Sequence, residues 1–309
     1  MGFLKVLLGL VAFLASAAVA FVELAPETAT RFALAAERSR SGLVLREALL
    51  EGGDRYVYLE GGRGEPLMLL HGFGADKDNF TRVARFLTPR YRVIVPDHVG
   101  FGESSHPPEA DYSATAQADR LHALARHLGI ARIHLGGSSM GGHIALSYAA
   151  AHPDEVASLW LISPGGLWNA TPSELATTIR DTGRNPLMAR SADEYAAVAD
   201  FVMHDPPFIP RPMLDVMALE RIRNFDLEQK IFAQLQADKL EERIRGLPTP
   251  SLIVWGREDR ALHVDTAGVL HGLLPNSKVV ILEGIGHLPM IEAPERSAED
   301  YMRFRATNR

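Results

Sequence analysis

Apolar and polar positions alternate along this chain in blocks of changing period. From Val6 to Val22 there is no charge at all, with Lys5 before the run and Glu23, Pro26 and Glu27 after it. Such a run is close to the minimum length for a helix that crosses a bilayer. Residues 27–40 have helix-forming composition and predict a juxtamembrane helix ended by Gly42. Leu43–Leu49 and Arg55–Leu59, separated by Glu51-Gly-Gly-Asp54, predict two strands joined by a turn. Compact apolar runs at 66–70, 91–95, 132–137 and 156–162 then alternate with helical patterns at 80–87, 112–128 and 139–151. That rhythm predicts a mostly parallel sheet covered by helices on both faces.

The rhythm breaks after Ser163-Pro-Gly-Gly166. Helical patterns near 172–180, 192–203, 211–223 and 226–245 follow with no strand between them, which predicts an inserted helical cap. Strands at 251–255 and 278–282, with helices near 264–272 and 294–305, resume the sheet. The expected organisation is an anchor and juxtamembrane segment over 1–42, an α/β core over 43–165 and 248–309, and the cap over 166–247.

Composition narrows the field. The chain has 309 residues, 47% hydrophobic and 23% charged, ample for a large core. A net charge of -6 without a long basic run argues against nucleic acid as a partner. The absence of cysteine removes thiol catalysis, disulfides and thiolate metal sites. No His-Glu-x-x-His pair occurs among the twelve histidines, so neither a metal nor another cofactor is expected.

Gly137-Ser-Ser-Met-Gly141 fits Gly-x-Ser-x-Gly, a sharp strand-to-helix turn that lifts a serine hydroxyl above the sheet. Ser139 would also sit at a helix N-terminus, where free N–H groups favour developing negative charge. A plain glycine-rich turn and a phosphate loop are the alternatives, although a phosphate loop would end in Gly-Lys-Ser/Thr. Groups that act on ligands gather at the carboxyl ends of parallel strands. Ser139, Asp259 and His287 all fall there, in the order Ser, Asp, His. Singly, Asp259 reads equally as a turn residue and His287 as an ordinary loop histidine.

With His71-Gly-Phe-Gly74, Asp97-His-Val-Gly-Phe-Gly-Glu-Ser104, Gly256-Arg-Glu-Asp259 and Gly286-His287, the chain from residue 43 onward resembles the α/β-hydrolase superfamily. With its apolar N-terminus it looks most like the membrane-anchored bacterial lipases and phospholipases A. The resemblance implies Ser139 as nucleophile, His287 as base and then acid, and Asp259 as the group that orients it. It implies an oxyanion hole at the backbone N–H groups of Phe73 and Met140, and a scaffolding role for Asp97 and Ser104.

The expected reaction is hydrolysis of lipid acyl esters through an acyl-serine. The runners-up are a carbon–carbon bond hydrolase of aromatic degradation and a low-turnover ligand-binding sensor on the same fold. Leu167, Trp168, Phe201, Met203, Phe208, Met213, Leu214 and Met217 are candidates to line an acyl-chain tunnel. Simple packing of the cap helices is the competing reading. The N-terminal segment is read as a retained inner-membrane anchor with the catalytic body on the periplasmic side. Ala18-Val-Ala20 offers the alternative of a cleaved signal and a secreted or periplasmic protein. Gly2, Gly9, Ala12 and residues 15–18 supply small side chains through which two such helices could approach and form a homodimer. Asn79-Phe-Thr81 and Asn169-Ala-Thr171 have acceptor spacing but are not read as glycan sites.

Overall fold

A computed structural model describes residues 2–168 and 170–308; Asn169 lies outside the described residues. Strands β1 (Leu43–Leu49), β2 (Arg55–Gly61), β3 (Glu65–Leu70), β4 (Tyr91–Pro96), β5 (Ile133–Ser138), β6 (Val156–Ile162), β7 (Ser251–Gly256) and β8 (Ser277–Leu282) form one sheet. Their spatial order is β1-β2-β4-β3-β5-β6-β7-β8. Only the β1/β2 hairpin and the β2/β4 pair are antiparallel; the other neighbours run parallel. The central strands are therefore covered on both faces, and Leu67, Met68, Leu69 and Leu70 are all fully buried.

Helices α1 (Gly2–Leu24) and α2 (Pro26–Arg40) precede the sheet, and α3 (Thr81–Leu87), α4 (Ala114–His127) and α5 (Met140–Ala151) lie within its first half. Between β6 and β7 come α6 (Glu174–Thr182), α7 (Ala192–Val202), α8 (Arg211–Arg223), α9 (Phe225–Ala237) and the short α10 (Glu241–Ile244). The chain closes with α11 (Thr266–Leu273), α12 (Pro289–Glu292) and α13 (Pro294–Thr307). Serines accept the free N–H groups at three of these starts: Ser113 from Ala116, Ser173 from Ala176 and Ser191 from Glu194.

Three local expectations differ from the structure. The helix expected over 226–245 is two, because residues 238–240 leave the helical path before α10. Asp265 precedes α11 instead of lying inside it. The turn after His287 holds α12, a single helical turn started by Pro289, which was not expected.

The sheet separates two apolar layers. One contains Leu121, Ile144, Trp255 and Leu270, from α4, α5, β7 and α11. The other contains Phe80, Trp160, Tyr301 and Phe304, with Trp160 stacked on Tyr301 at 4.7 Å between ring centroids. Leu175, Val198, Phe201 and Val202 of the cap form a third, smaller cluster with Leu187 and Ala261.

The two N-terminal helices have opposite fates. α1 spans 23 residues, about 34 Å at the helical rise, and presents Phe3, Val6, Leu10 and Phe13 uncovered. It is long and apolar enough to cross a membrane. α2 is docked instead: Ala29 and Thr30 are buried, and Arg38 forks onto Asp78, with Nε 2.7 Å from Oδ1. At its end Ser41 accepts from the Thr88 hydroxyl through its carbonyl at 3.0 Å.

Removal of residues 1–25 should therefore leave the thermal midpoint of the remaining protein within a few degrees. Removal of residues 1–40 should cost about 2 kcal/mol or more through the lost Arg38–Asp78 fork and α2 packing, a fall of roughly 4–8 °C. Thermal denaturation of the two truncations in one detergent buffer checks both outcomes.

Candidate active site

The turn after β5 places Ser139 at φ 54 and ψ -118, a conformation that L-residues avoid. Such strain costs about 1–3 kcal/mol and persists only when its surroundings enforce it. The surroundings here are specific. Ser139 donates its N–H to the Ile162 carbonyl at 3.0 Å, and its own carbonyl accepts from Gly165 at 2.9 Å and His143 at 3.1 Å. A Cβ at Gly137 would overlap the Gly141 carbonyl, and one at Gly141 would overlap the Leu70 carbonyl. The spacing in Gly-x-Ser-x-Gly is thus steric: both glycines are where backbone meets backbone.

His287 reaches the same place from the loop after β8. Its Nδ1 lies 2.7 Å from Asp259 Oδ2, with both residues buried. The other carboxylate oxygen, Oδ1, accepts the N–H groups of Ala261 and Leu262, each at 2.9 Å. Asp259 can accept only from a protonated Nδ1, so the geometry selects the tautomer whose Nε2 carries a lone pair. The His287 backbone N–H donates to the Val202 carbonyl at 2.7 Å, so the cap helix α7 helps set the histidine's position. Glu258, the neighbouring carboxylate, turns away to accept the Ile285 N–H at 3.0 Å.

The His-Gly-Phe-Gly loop after β3 passes Ser139 at contact distance. A Cβ built on Gly72 would lie 3.2 Å from Ser139 Cβ. Phe73 therefore follows directly beside the serine, and Met140 opens α5. Three separate anchors hold this loop. His71 accepts the His98 N–H on Nε2 at 3.0 Å and donates from Nδ1 to the Gly72 carbonyl at 2.8 Å. Burial pushes its pKa down to about 4, opposed by nearby Asp97, so the ring is neutral as these two bonds require.

The second anchor is the buried pair Lys77–Asp97, with Nζ 2.9 Å from Oδ2. Asp97 also accepts the N–H groups of Lys77 and Glu103, and its carbonyl takes the Ser104 hydroxyl. Asp97 and Ser104 are scaffold in this geometry. The third comes from the cap, where Arg221 donates to the Gly74 carbonyl at 2.8 Å and the Leu187 carbonyl at 2.6 Å. Its Nε lies 2.6 Å from Glu228 Oε1 in a buried ion pair. The guanidinium also stands 5.7 Å from the Phe73 ring, which packs edge-on against Phe101 and Phe232.

Ser139 and His287 open on one cavity of about 750 Å³ that runs between the cap and α2. Of the residues proposed to line a tunnel, Met203, Leu214 and Met217 do so. Leu167, Trp168, Phe201, Phe208 and Met213 are not among its lining residues, and that expectation is corrected. Leu167 packs into the main core. Trp168 joins the start of the cap to its far end, donating from Nε1 to the Asp238 carbonyl at 3.0 Å. Phe201 lies under the Arg260 guanidinium at 4.7 Å, and Phe208 is 91% exposed. Cap helices have apolar residues on more than one face, so their pattern does not say which face meets the cavity. Val198 and Val202 on α7, Leu288 and Ile291 after the histidine, and Leu34 on α2 line it without having been singled out. The i, i+4 spacing of the two valines was the available signal.

Elsewhere, His122, His152 and Glu155 cluster with their ligand-type atoms within 4.8 Å of one another, a grouping that no sequence motif announced.

Comparison with known proteins places this arrangement among others. Residues 65–294 match the model of a family described as having the alpha/beta hydrolase fold. Lipase 1 of Psychrobacter immobilis is 43% identical over 277 residues, covering 87% of this chain and 86% of that protein. The monoacylglycerol lipase abhd6-A of Xenopus laevis is 30% identical over 264 residues, covering 79% and 77%. The crystal structure of a bacterial membrane phospholipase A, a virulence factor, superposes with a TM-score of 0.89 at 39% identity, covering 98% of each chain.

Arg221→Met should cost about 3–5 kcal/mol, because Glu228 is left buried without its cation, and Glu228→Gln in the same chain should recover part of it. Urea unfolding of the single and double variants checks this. For His71, the unfolded state binds a proton that the folded state refuses between pH 6.5 and about 4. Its share of stability is present above 6.5 and is lost as pH falls to about 4, by about 3 kcal/mol in all. Unfolding curves at pH 7 and pH 5 should show a smaller acid loss in His71→Gln than in the wild type.

Proposed function

The chain belongs to the α/β-hydrolase fold family, and we propose that within it this protein is a membrane-anchored serine hydrolase of lipid acyl esters, of lipase or phospholipase A type. The observation that carries the reading is the shared cavity. The strained serine and the carboxylate-held histidine open on it, the cap supplies apolar walls, and the helix that continues from α1 forms its other side. A space of this size and lining suits a long acyl chain better than a small polar ester.

In the proposed reaction His287 Nε2 takes the Ser139 hydroxyl proton as Oγ attacks the ester carbonyl. The carbonyl oxygen becomes negative beside the N–H groups of Phe73 and Met140, whose positions are preset by the loop anchors and the start of α5. Asp259 stabilises the imidazolium through its 2.7 Å bond. His287 then protonates the departing alcohol, leaving an acyl-serine, and activates a water that releases the fatty acid.

The exposed apolar α1 supports anchoring, since the described residues leave its side chains open. Holding the enzyme at a membrane raises the effective concentration of lipid at the cavity. The positive-inside rule, applied to Lys5, favours the catalytic body on the periplasmic side. The lipases among the relatives favour ester hydrolysis over carbon–carbon cleavage or a sensor role.

Detergent-extracted protein should release fatty acid from defined phospholipids or glycerides, and Ser139→Ala should lower that rate roughly 10⁴-fold or more. Undiminished release by Ser139→Ala, or cleavage of short soluble esters alone, would count against the proposal.

A further inference from the structure

The cavity has a polar wall whose charges do not balance internally. It is built by α2 and by the segment from Asp76 to Arg82. Most of its charged groups are committed. Arg38 is held by Asp78, Lys77 by Asp97 and Glu103, and Glu37 lies against Arg40. Burial beside Asp78 and Asp97 pushes Asp76 up to about 8, which leaves it mostly uncharged at neutral pH.

Among the described residues lining this wall, Arg31, Arg82 and Glu27 have no counterion. The only polar contact of Arg31 among the described residues is a 3.5 Å approach to the Thr28 hydroxyl. Glu27 and Arg31 stand four residues apart on α2, so they share a face about 6 Å apart along the axis, yet they do not pair. Arg82 faces the same space from α3. Two guanidinium groups from different elements and one carboxylate a helical turn from the first thus line the cavity that also contains Ser139.

Guanidinium groups recognise phosphate oxygens through forked, charge-assisted bonds, and a carboxylate accepts from an ammonium. We propose that this wall is a headgroup subsite for a zwitterionic aminoalkyl phosphodiester, with Arg31 and Arg82 on the phosphate and Glu27 on the ammonium. The site rests on the acyl-ester reading above and names the lipid class. Its place along the chain agrees: Arg31 lies seven residues after the end of α1, on the helix that directly follows the apolar span. A headgroup held there leaves the ester to reach Ser139 and the acyl chain to follow the apolar wall.

The test uses the full-length protein in mixed micelles with phosphatidylethanolamine, phosphatidylglycerol and diacylglycerol of identical acyl chains. Wild type should prefer them in that order. Arg31→Gln and Arg82→Gln should each lower kcat/KM on both phospholipids about ten-fold and leave diacylglycerol unchanged. Glu27→Gln should erase the preference for phosphatidylethanolamine over phosphatidylglycerol. Equal losses on all three lipids, or no loss on any, would overturn the subsite, and so would a preference untouched by Glu27→Gln. Calorimetric binding of a non-hydrolysable diether phosphatidylethanolamine reads the subsite without catalysis. Binding that weakens in the arginine variants supports it even if no ester is turned over, in which case the hydrolase reading alone fails; unchanged binding overturns it.

Discussion

A serine held at positive φ between a strand and a helix is the constraint on which the rest of this molecule depends. The conformation is unfavourable in isolation, so it exists only where neighbouring backbone leaves no other path. β3 runs so close to the turn that a Cβ on Gly141 would overlap the Leu70 carbonyl, while β6 accepts the serine's N–H through Ile162. The elbow is thus made by the sheet on either side of it, and the parallel order of β3, β5 and β6 is part of the chemistry. The same close approach brings the loop after β3 beside the serine.

That loop shows how the separate parts of the fold are joined at the site. The core holds it through His71, Asp97 and Lys77 and the cap through Arg221, while α2 grips the segment that follows it through the fork of Arg38 on Asp78. The histidine side is arranged likewise, with the β7 loop supplying Asp259 and the cap carbonyl of Val202 receiving the His287 N–H. Oxyanion donors act well only when they are fixed before the reaction, because reorganisation during it would consume the benefit. The cap and α2 are therefore both walls of the cavity and supports of its polar end. A change in the seating of either element has a direct path to the loop beside Ser139 and to His287.

Much of this was legible in the chain itself. Strand and helix blocks, the inserted cap, the elbow, and the order Ser139, Asp259, His287 depend on local spacing and on strand ends, and such features are written in consecutive residues. The long uncharged run that became α1 is legible for the same reason. Short-range signals also failed in places: the break at residues 238–240 and the turn of α12 follow from packing that periodicity does not record.

What the tertiary structure alone decided is which side chains face the cavity and which charges are free. Phe201 and Val202 are neighbours in sequence and equally apolar, yet only Val202 meets the cavity while Phe201 is covered by Arg260. Arg38 and Arg31 lie two turns apart on one helix, but only Arg38 finds a carboxylate, and that partner is forty residues away in the chain. The sequence by itself determined the elements and the strained elbow that carries Ser139, because spacing and steric need there act over a few residues. Facing, pairing and the shape of the cavity depend on contacts between distant segments, and those exist only once the sheet, the cap and α2 have come together.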